Sequence, residues 1–125
     1  MNKLISEFMA QKKFAVVGTT DNPDKYGNKI FKNLKNRGYE VYPVSPRIKD
    51  IDGTKCYPAL SAIPVKVDVV GFVVPPRVTE KILKECKDLH LKRIWLQPGA
   101  ESEKTIAFCR ENGLKVVHGA CVMLN

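Results

Sequence analysis

The sequence predicts an α/β fold: a Rossmann-like three-layer domain with a mostly parallel sheet of about five strands. Short, unbroken apolar runs, which suit strands buried on both faces, alternate along the chain with amphipathic segments of helical spacing. The order strand–loop–helix recurs four times with short connections, which implies parallel strands, right-handed crossovers and helices on the faces of the sheet. A chain of 125 residues fits one such domain, residues 1–125, with one core.

The N-terminal third of the chain is predicted to form a helix, a strand and a second helix. Residues 1–12 give a short amphipathic helix packed on the domain, because their apolar side chains recur on one face. The apolar run 14–17 gives the first strand. A polar loop, residues 18–25, leads to the second helix, which ends near Gly38, where a C-cap glycine belongs.

The second and third strands lie on either side of an irregular segment. Residues 39–44 give the second strand, which a Ser-Pro pair ends. Residues 47–66 are rich in turn-forming pairs, so we expect irregular structure there, with a short strand near Cys56. The run 67–74 is the clearest strand in the sequence.

The C-terminal part is predicted to add two helices and two strands. Pro75 and Pro76 end the third strand and open a helix, since proline is tolerated in the first turn. Residues 93–96 give the next strand and residues 102–112 the next helix, which a glycine caps. Residues 114–117 close the sheet.

Composition limits the class of protein. The formal net charge of +8, from 21 basic and 13 acidic residues, attracts nucleotides, phosphorylated cofactors, nucleic acids or acidic membranes without choosing among them. The basic residues are spread along the predicted helices, so we interpret them as solvated helix faces. No apolar run approaches the roughly 18 residues of a membrane span, and the N terminus lacks a signal-peptide core, so we expect a cytoplasmic protein that does not enter membranes.

The cysteines and histidines give no sign of a metal site or a nucleophile. The four cysteines are widely spaced and are interpreted as reduced thiols that serve as small apolar side chains. His90 and His118 are interpreted as exposed or capping residues near element ends. A thiolate pair of Cys121 with His118 is a weaker alternative. We therefore expect neither a catalytic residue nor a metal ligand.

Four loops leave the carboxyl ends of the predicted strands: residues 18–25, 45–47, 74–77 and 97–100. In open parallel sheets, ligands bind beyond these ends, where the winding direction reverses. The loops are therefore the candidate site.

The first loop has features of a phosphate-binding turn. Gly18 lets the chain turn tightly and brings backbone N–H groups towards an anion at a helix N terminus, where the hydroxyls of Thr19 and Thr20 can also donate. The full G-x-G-x-x-G dinucleotide signature is absent. A glycine needed only for the turn is the alternative.

The second loop discriminates between cofactors. A NAD-binding domain usually ends its second strand with an acid that binds the ribose hydroxyls. Here the strand is followed by Ser45, Pro46 and Arg47, which suit a phosphorylated ribose, as in NADP or coenzyme A. An exposed turn with a solvated arginine is the alternative.

Five short motifs follow one another in a specific order and spacing between Phe14 and the C terminus: VGTT at 17–20, YPVSP at 42–46, DG at 52–53 with CYP at 56–58, VVPP at 73–76 and WLQPG at 95–99. In this order they resemble the small stand-alone coenzyme A-binding proteins, relatives of the cofactor-binding domain of succinyl-CoA synthetase alpha subunits. The resemblance implies that the protein binds coenzyme A or an acyl-CoA.

The resemblance also implies a role for each loop. It places Gly18, Thr19 and Thr20 at the pyrophosphate, with Lys25 in reach of a phosphate. It places the second loop by the adenosine, with Ser45, Pro46 and Arg47. The third loop forms an apolar wall from Val74, Pro75 and Pro76. The fourth loop lines the remaining side of the cleft with Gln97, Pro98 and Gly99.

Two departures from the family pattern limit what is implied. Asp21 and Asp24 stand inside the phosphate loop, where their charge opposes an anion unless the side chains point away. The phosphorylated histidine of the synthetases belongs to a second domain with no counterpart here, so the ligase activity is not implied.

We therefore predict a binding module without chemistry of its own, acting as a sensor, a carrier or a partner subunit. A protein partner or a homo-oligomer is compatible with that role. An NADP-dependent or other nucleotide-dependent enzyme is the alternative, although 125 residues leave little room for a substrate domain. Nucleic acid is the less favoured partner, because the aromatic residues fall mostly in strands and core faces.

Overall fold

The structure, a computed structural model, describes residues 2–125 and alternates strands with helices as the sequence predicts. In chain order the elements are α1 (Asn2–Met9), β1 (Lys13–Val17), α2 (Tyr26–Asn36), β2 (Glu40–Val44), β3 (Asp50–Ile51), β4 (Thr54–Lys55), β5 (Val69–Phe72), α3 (Pro76–Asp88), β6 (Arg93–Leu96), α4 (Glu103–Glu111) and β7 (Lys115–Val117). Short 3₁₀ turns occur at Leu60–Ala62 and Val122–Leu124.

Five parallel strands form the central sheet in the order β2-β1-β5-β6-β7. The predicted Rossmann-like α/β fold is therefore confirmed. β2, which follows β1 in the chain, lies on one side of β1, and β5 lies on the other side. The winding direction thus reverses at the carboxyl ends of β1 and β5, the position at which such sheets bind ligands.

Apolar side chains cover both faces of the sheet and make it the middle of three layers. Phe14 and Val16 of β1 share a core with Phe8 of α1 and with α2. Ala15 and Val17 point to the opposite face and share a second core with α3 and α4. This alternation explains the unbroken apolar runs of the inner strands: all four positions of β5 and the last four of β1 are buried on one face or the other.

The segment 47–66 contains more regular structure than the sequence predicts. β3 and β4 form an antiparallel hairpin whose turn residues, Asp52 and Gly53, both have positive φ angles, of 48° and 82°. Such angles are those of the tight turns that join hairpin strands. The predicted short strand near Cys56 is thus the second arm of a hairpin.

A smaller difference concerns the N-terminal helix. α1 ends at Met9 rather than at residue 12, because the chain turns after it and β1 already begins at Lys13. Among residues 2–125, no helix is both long enough and apolar enough to cross a bilayer.

Candidate functional site

The loops after β1 and β5 touch at Gly18. This residue has φ of +98°, and a β-carbon placed on it lies 2.5 Å from the carbonyl oxygen of Val73 and 2.7 Å from a methyl carbon of Val74. The N–H of Val73 donates to Val17 O at 2.8 Å, which continues the β1–β5 ladder into the loops. Glycine is therefore required at position 18 both for the turn and for the close approach of the neighbouring loop.

The first turn of α2 rests directly on the same loop. Gly27 is buried, and a β-carbon there overlaps the carbonyl oxygen of Gly18 and lies 3.3 Å from the α-carbon of Thr19. The positive end of α2 is thus held against the loop, where it favours an anion. Gly27 was not among the residues predicted from the sequence, although a glycine in the first turn of the helix after a glycine loop is a recognisable signal.

Polar side chains hold the loop in shape. The Thr19 hydroxyl, on a side chain that is 3% exposed, donates to Val16 O at 2.7 Å. The buried Asn28, also missed by the sequence analysis, donates through Nδ2 to Thr20 O at 2.9 Å. The Thr20 hydroxyl oxygen accepts from Asn22 N–H at 3.2 Å, which leaves its proton free to donate to a ligand.

The backbone N–H groups of the loop divide into two sets. Those of Gly18 and Thr19 donate to Val44 O, at 3.1 and 3.4 Å, and tie the loop to the end of β2. Those of Thr20 and Asp21 have no acceptor within hydrogen-bond distance among residues 2–125. The donors available to an anion thus lie two and three residues after Gly18.

A basic cavity of about 370 Å³ lies beside this loop at the end of β2. The residues lining it include Ser45, Pro46, Arg47, Lys49, Lys55 and Cys56. The structure thus brings the three predicted adenosine residues together and adds two lysines, Lys49 just before β3 and Lys55 in β4. The lysines were missed because their position depends on how the hairpin docks.

An apolar cavity of about 310 Å³ lies on the other side, at the ends of β5 and β6. Its lining includes Tyr26, Val74, Pro75, Pro76, Pro98 and Gly99. The residues predicted to form an apolar wall therefore face those predicted to line the remaining side of the cleft. Tyr26, at the start of α2, was missed by the sequence analysis.

Gln97 lies apart from these cavities, although its loop contributes to one of them. The side chain is 1% exposed, and its Oε1 accepts from the N–H of Val122 at 3.1 Å. It therefore holds the C-terminal segment against the sheet. Trp95 acts in the same way, because its Nε1 donates to Ala120 O at 2.8 Å.

The C-terminal segment brings Cys121 to Tyr26. The Tyr26 hydroxyl donates to Cys121 Sγ at 3.6 Å, and this hydrogen bond raises the pKa of Tyr26. Tyr26 is 43% exposed, whereas Cys121 is buried. The tyrosine thus lies between the thiol and the apolar cavity.

The charged residues of the first loop are all exposed. Lys25 occupies the N-cap of α2, and Asp21 and Asp24 also extend into solvent. Burial, with smaller contributions from the charges of Asp50 and Asp21, raises the pKa of Cys56 to about 11. Asp21 is thus close enough to the basic cavity for its charge to be felt there.

The two histidines lie away from the candidate site. His90 is exposed beyond the end of α3 with φ of +58°, at the amino-terminal edge of the sheet. His118 lines a separate cavity on α4. Cys121 has Tyr26 rather than His118 as its hydrogen-bond partner.

Comparison with known proteins decides the family. The sequence profile of the CoA binding domain matches residues 12–125. The chain belongs to the CoA-binding domain family. The resemblance predicted from the five motifs is therefore confirmed, and the family covers all four loops of the candidate site.

Relatives of this CoA-binding domain include much larger proteins. It is 29% identical over 130 aligned positions to the alpha subunit of ADP-forming acetate–CoA ligase II of Pyrococcus furiosus, an alignment that covers 95% of this chain and 28% of that subunit. It is 28% identical to the uncharacterised protein YneT of Bacillus subtilis, over 89% of this chain and 82% of that protein. The chain thus spans about a quarter of the ligase subunit and most of the small relative.

Solved structures of small proteins share the whole fold. A conserved hypothetical protein of Pyrococcus furiosus is 44% identical, with a TM-score of 0.87 over 90% of this chain and 97% of that one. A hypothetical protein of Pyrococcus horikoshii is 31% identical, with a TM-score of 0.92 over 98% of this chain and 87% of that one.

Proposed function

We propose that this protein binds coenzyme A or an acyl-CoA at the carboxyl ends of the sheet strands and does no chemistry of its own. The observation that carries the proposal is the order of three environments along one edge of the sheet. A basic cavity at β2, free N–H groups after β1 and an apolar cavity at β5 and β6 follow one another.

This order matches the chemistry of coenzyme A from end to end. The phosphorylated adenosine suits the basic cavity, and the pyrophosphate suits the N–H groups of Thr20 and Asp21 at the positive end of α2. The pantetheine arm, which carries few charges, suits the apolar cavity of Val74, Pro75 and Pro98. Membership of the CoA-binding domain family and the CoA-using ligase among its relatives support the same ligand.

A role in binding rather than catalysis is supported by what lines the cavities. The thiol among these side chains is Cys56, whose pKa is raised to about 11, so it is protonated at neutral pH and a poor nucleophile. The nearby Cys121 is buried under Tyr26. The module therefore acts as a sensor, a carrier or a partner subunit, with any reaction taking place on another protein.

Thermal unfolding with candidate ligands tests the proposal. Coenzyme A at roughly 100 times its Kd adds about 2.7 kcal/mol to the free energy of unfolding, which raises Tm by about 10 °C. Acetyl-CoA is expected to act similarly, and NADP⁺ to act weakly. A shift with NADP⁺ that exceeds the shift with coenzyme A favours the nucleotide-dependent enzyme instead, and no shift at millimolar coenzyme A contradicts the proposal.

A matched pair of variants locates the site. Arg47→Gln removes a cation from the basic cavity and is expected to weaken coenzyme A binding about 10-fold. Arg110→Gln removes the same charge from the exposed face of α4 and is expected to leave the affinity unchanged. Isothermal titration calorimetry measures both; equal effects of the two variants contradict the placement of the ligand.

A further inference from the structure

Helix α4 has a second face that is turned away from the sheet. Thr105 and Cys109 are buried against the core, whereas residues at intervals of three and four on the other side of the helix remain accessible. Residues at these intervals share one face of a helix, and here they line a groove of about 420 Å³ together with His118. We call them the α4 face: Glu103, Ile106, Ala107, Arg110 and Glu111.

The α4 face lies beside an open edge of the sheet. β7 is the last strand on that side, and His118 follows it directly. At the opposite edge the chain covers part of β2, because Tyr57 forms a bridge with Val44 and its N–H donates to Pro43 O at 2.9 Å. Among residues 2–125, no strand pairs with the outer edge of β7. This side of the molecule is therefore accessible to a partner.

The charges of the α4 face nearly cancel, although the protein is strongly basic. The face carries one arginine, Arg110, and two glutamates, Glu103 and Glu111, whereas the whole chain has a net charge of +8. Within the described part of the chain, none of these three groups lies within 4.0 Å of an opposite charge. The neighbouring Lys104, by contrast, pairs with Glu80 at 3.8 Å. Because a net charge of this size makes two copies repel each other, a face with balanced charges favours their approach.

The groups of the α4 face are complementary to a second α4 that runs antiparallel. Glu103 lies in the first turn and Arg110 in the last, with Ile106 and Ala107 midway between them. A two-fold axis between the two midway residues sets Glu103 of one protomer opposite Arg110 of its partner, and does so twice. It also sets Ile106 opposite Ala107. The small alanine side chain lets the helices approach closely, and the isoleucine fills the space beside it.

We propose that this protein forms a two-fold symmetric homodimer through the α4 face, with a second copy of the chain in the groove. The dimer is independent of the proposed function, because the groove shares no lining residue with the basic or the apolar cavity. A helix of nine residues is only about 13 Å long, so the contact is smaller than a standard interface. We therefore expect a weak dimer, with a Kd of about 10–100 µM.

Sedimentation velocity at increasing protein concentration tests the proposal. The unaltered protein is expected to pass from monomer to dimer between about 5 and about 500 µM, and to associate less at high salt. Ala107→Glu places two like charges at the axis of the dimer and is expected to raise the Kd at least about 10-fold. Ala10→Glu adds the same charge at an exposed position after α1 and is expected to leave association unchanged. Circular dichroism and Tm confirm that each variant folds.

Two charge reversals test which groups meet across the axis. Glu103→Arg and Arg110→Glu each place like charges opposite one another in a homodimer, so each variant alone is expected to associate at least about 10-fold more weakly. When the two variants are mixed in equal amounts, association is expected to return. In the mixed dimer every arginine of the pair faces a glutamate.

Each result decides one part of the proposal. A protein that stays monomeric at every concentration overturns the dimer. A dimer that Ala107→Glu leaves intact overturns its assignment to the α4 face. Charge-reversed variants that fail to associate when mixed overturn the antiparallel pairing of Glu103 with Arg110. The shift of Tm with coenzyme A tests the proposed function separately, so either idea can fail while the other stands.

Discussion

Gly27 packs so closely against Gly18 that a β-carbon on Gly27 would overlap the carbonyl oxygen of Gly18. The two residues belong to different elements, the first turn of α2 and the loop after β1, and a side chain on either one meets backbone atoms. Backbone atoms cannot move aside as a flexible side chain does. The contact therefore sets the distance between the helix N terminus and the loop that offers N–H groups to a phosphate.

We expect Gly27→Ala to push α2 away from the loop. The variant should lose about 1–3 kcal/mol in the free energy of unfolding, the range typical of overpacking, and should bind coenzyme A more weakly. Gly71→Ala is the matched control, because its added β-carbon meets Ala15 O at an ordinary 3.7 Å. Urea denaturation and calorimetry measure both effects; a Gly27→Ala protein as stable as the Gly71→Ala protein would show that the contact is not tight.

Asp21 is an acid placed where the proposed ligand carries negative charge. Its backbone N–H is free to donate to a phosphate, whereas its exposed carboxylate acts on the neighbouring Cys56. We expect Asp21→Asn to tighten coenzyme A binding by a few-fold, with a larger gain at low salt, because exposed charges are screened by salt. Asp88→Asn, at the far end of α3, is expected to have no such effect. Unchanged affinity in both variants at low salt would mean that the Asp21 carboxylate points away from the anion.

The elements of the sheet could be predicted from the sequence because each depends on local signals. Apolar runs mark the strands, and a C-cap glycine and a proline pair mark helix ends. Each of these signals lies within a few residues of the element that it marks. The four loops could be placed at one edge because parallel strands all end there. Residues whose role depends on how separate elements pack were not found: Asn28 of α2 donates to the backbone of the loop before it, and Lys55 reaches its cavity through the docking of a hairpin.

Gln97 shows a different difficulty: residues of one recognised motif can have different roles in the structure. Pro98 and Gly99 line the apolar cavity, whereas the preceding glutamine points into the protein. Sequence spacing alone does not tell which side chain of a loop turns inward.

Buried thiols make stability depend on pH in the alkaline range. Burial raises the pKa of Cys109 from 9.0 to about 11 and raises that of Cys86 as well. A pKa that is higher in the folded state means that the unfolded chain releases its proton first. The stabilising contribution is therefore complete below about pH 9 and is lost as the pH rises towards 11. We expect the free energy of unfolding to fall over that interval, by less in Cys109→Ala, with urea titrations at each pH as the measurement. A slope unaffected by this substitution would assign the alkaline loss to other groups.

Within the loop after β6, Gln97 supports the fold, whereas its neighbours line the apolar cavity. Gln97→Met keeps the volume of the side chain but removes the acceptor of the buried Val122 N–H, which should cost about 1–3 kcal/mol in the free energy of unfolding. Because Gln97 does not line the apolar cavity, the folded fraction should bind coenzyme A with an affinity changed less than about 2-fold. Gln11→Met is the control, because Gln11 is half-buried and donates only to Glu7 O at the end of α1. This substitution should lower the free energy of unfolding by less. Urea denaturation gives the stability, and calorimetry well below the transition gives the affinity. A large loss of affinity at unchanged stability would place the Gln97 side chain in contact with the cofactor, as the family resemblance implies.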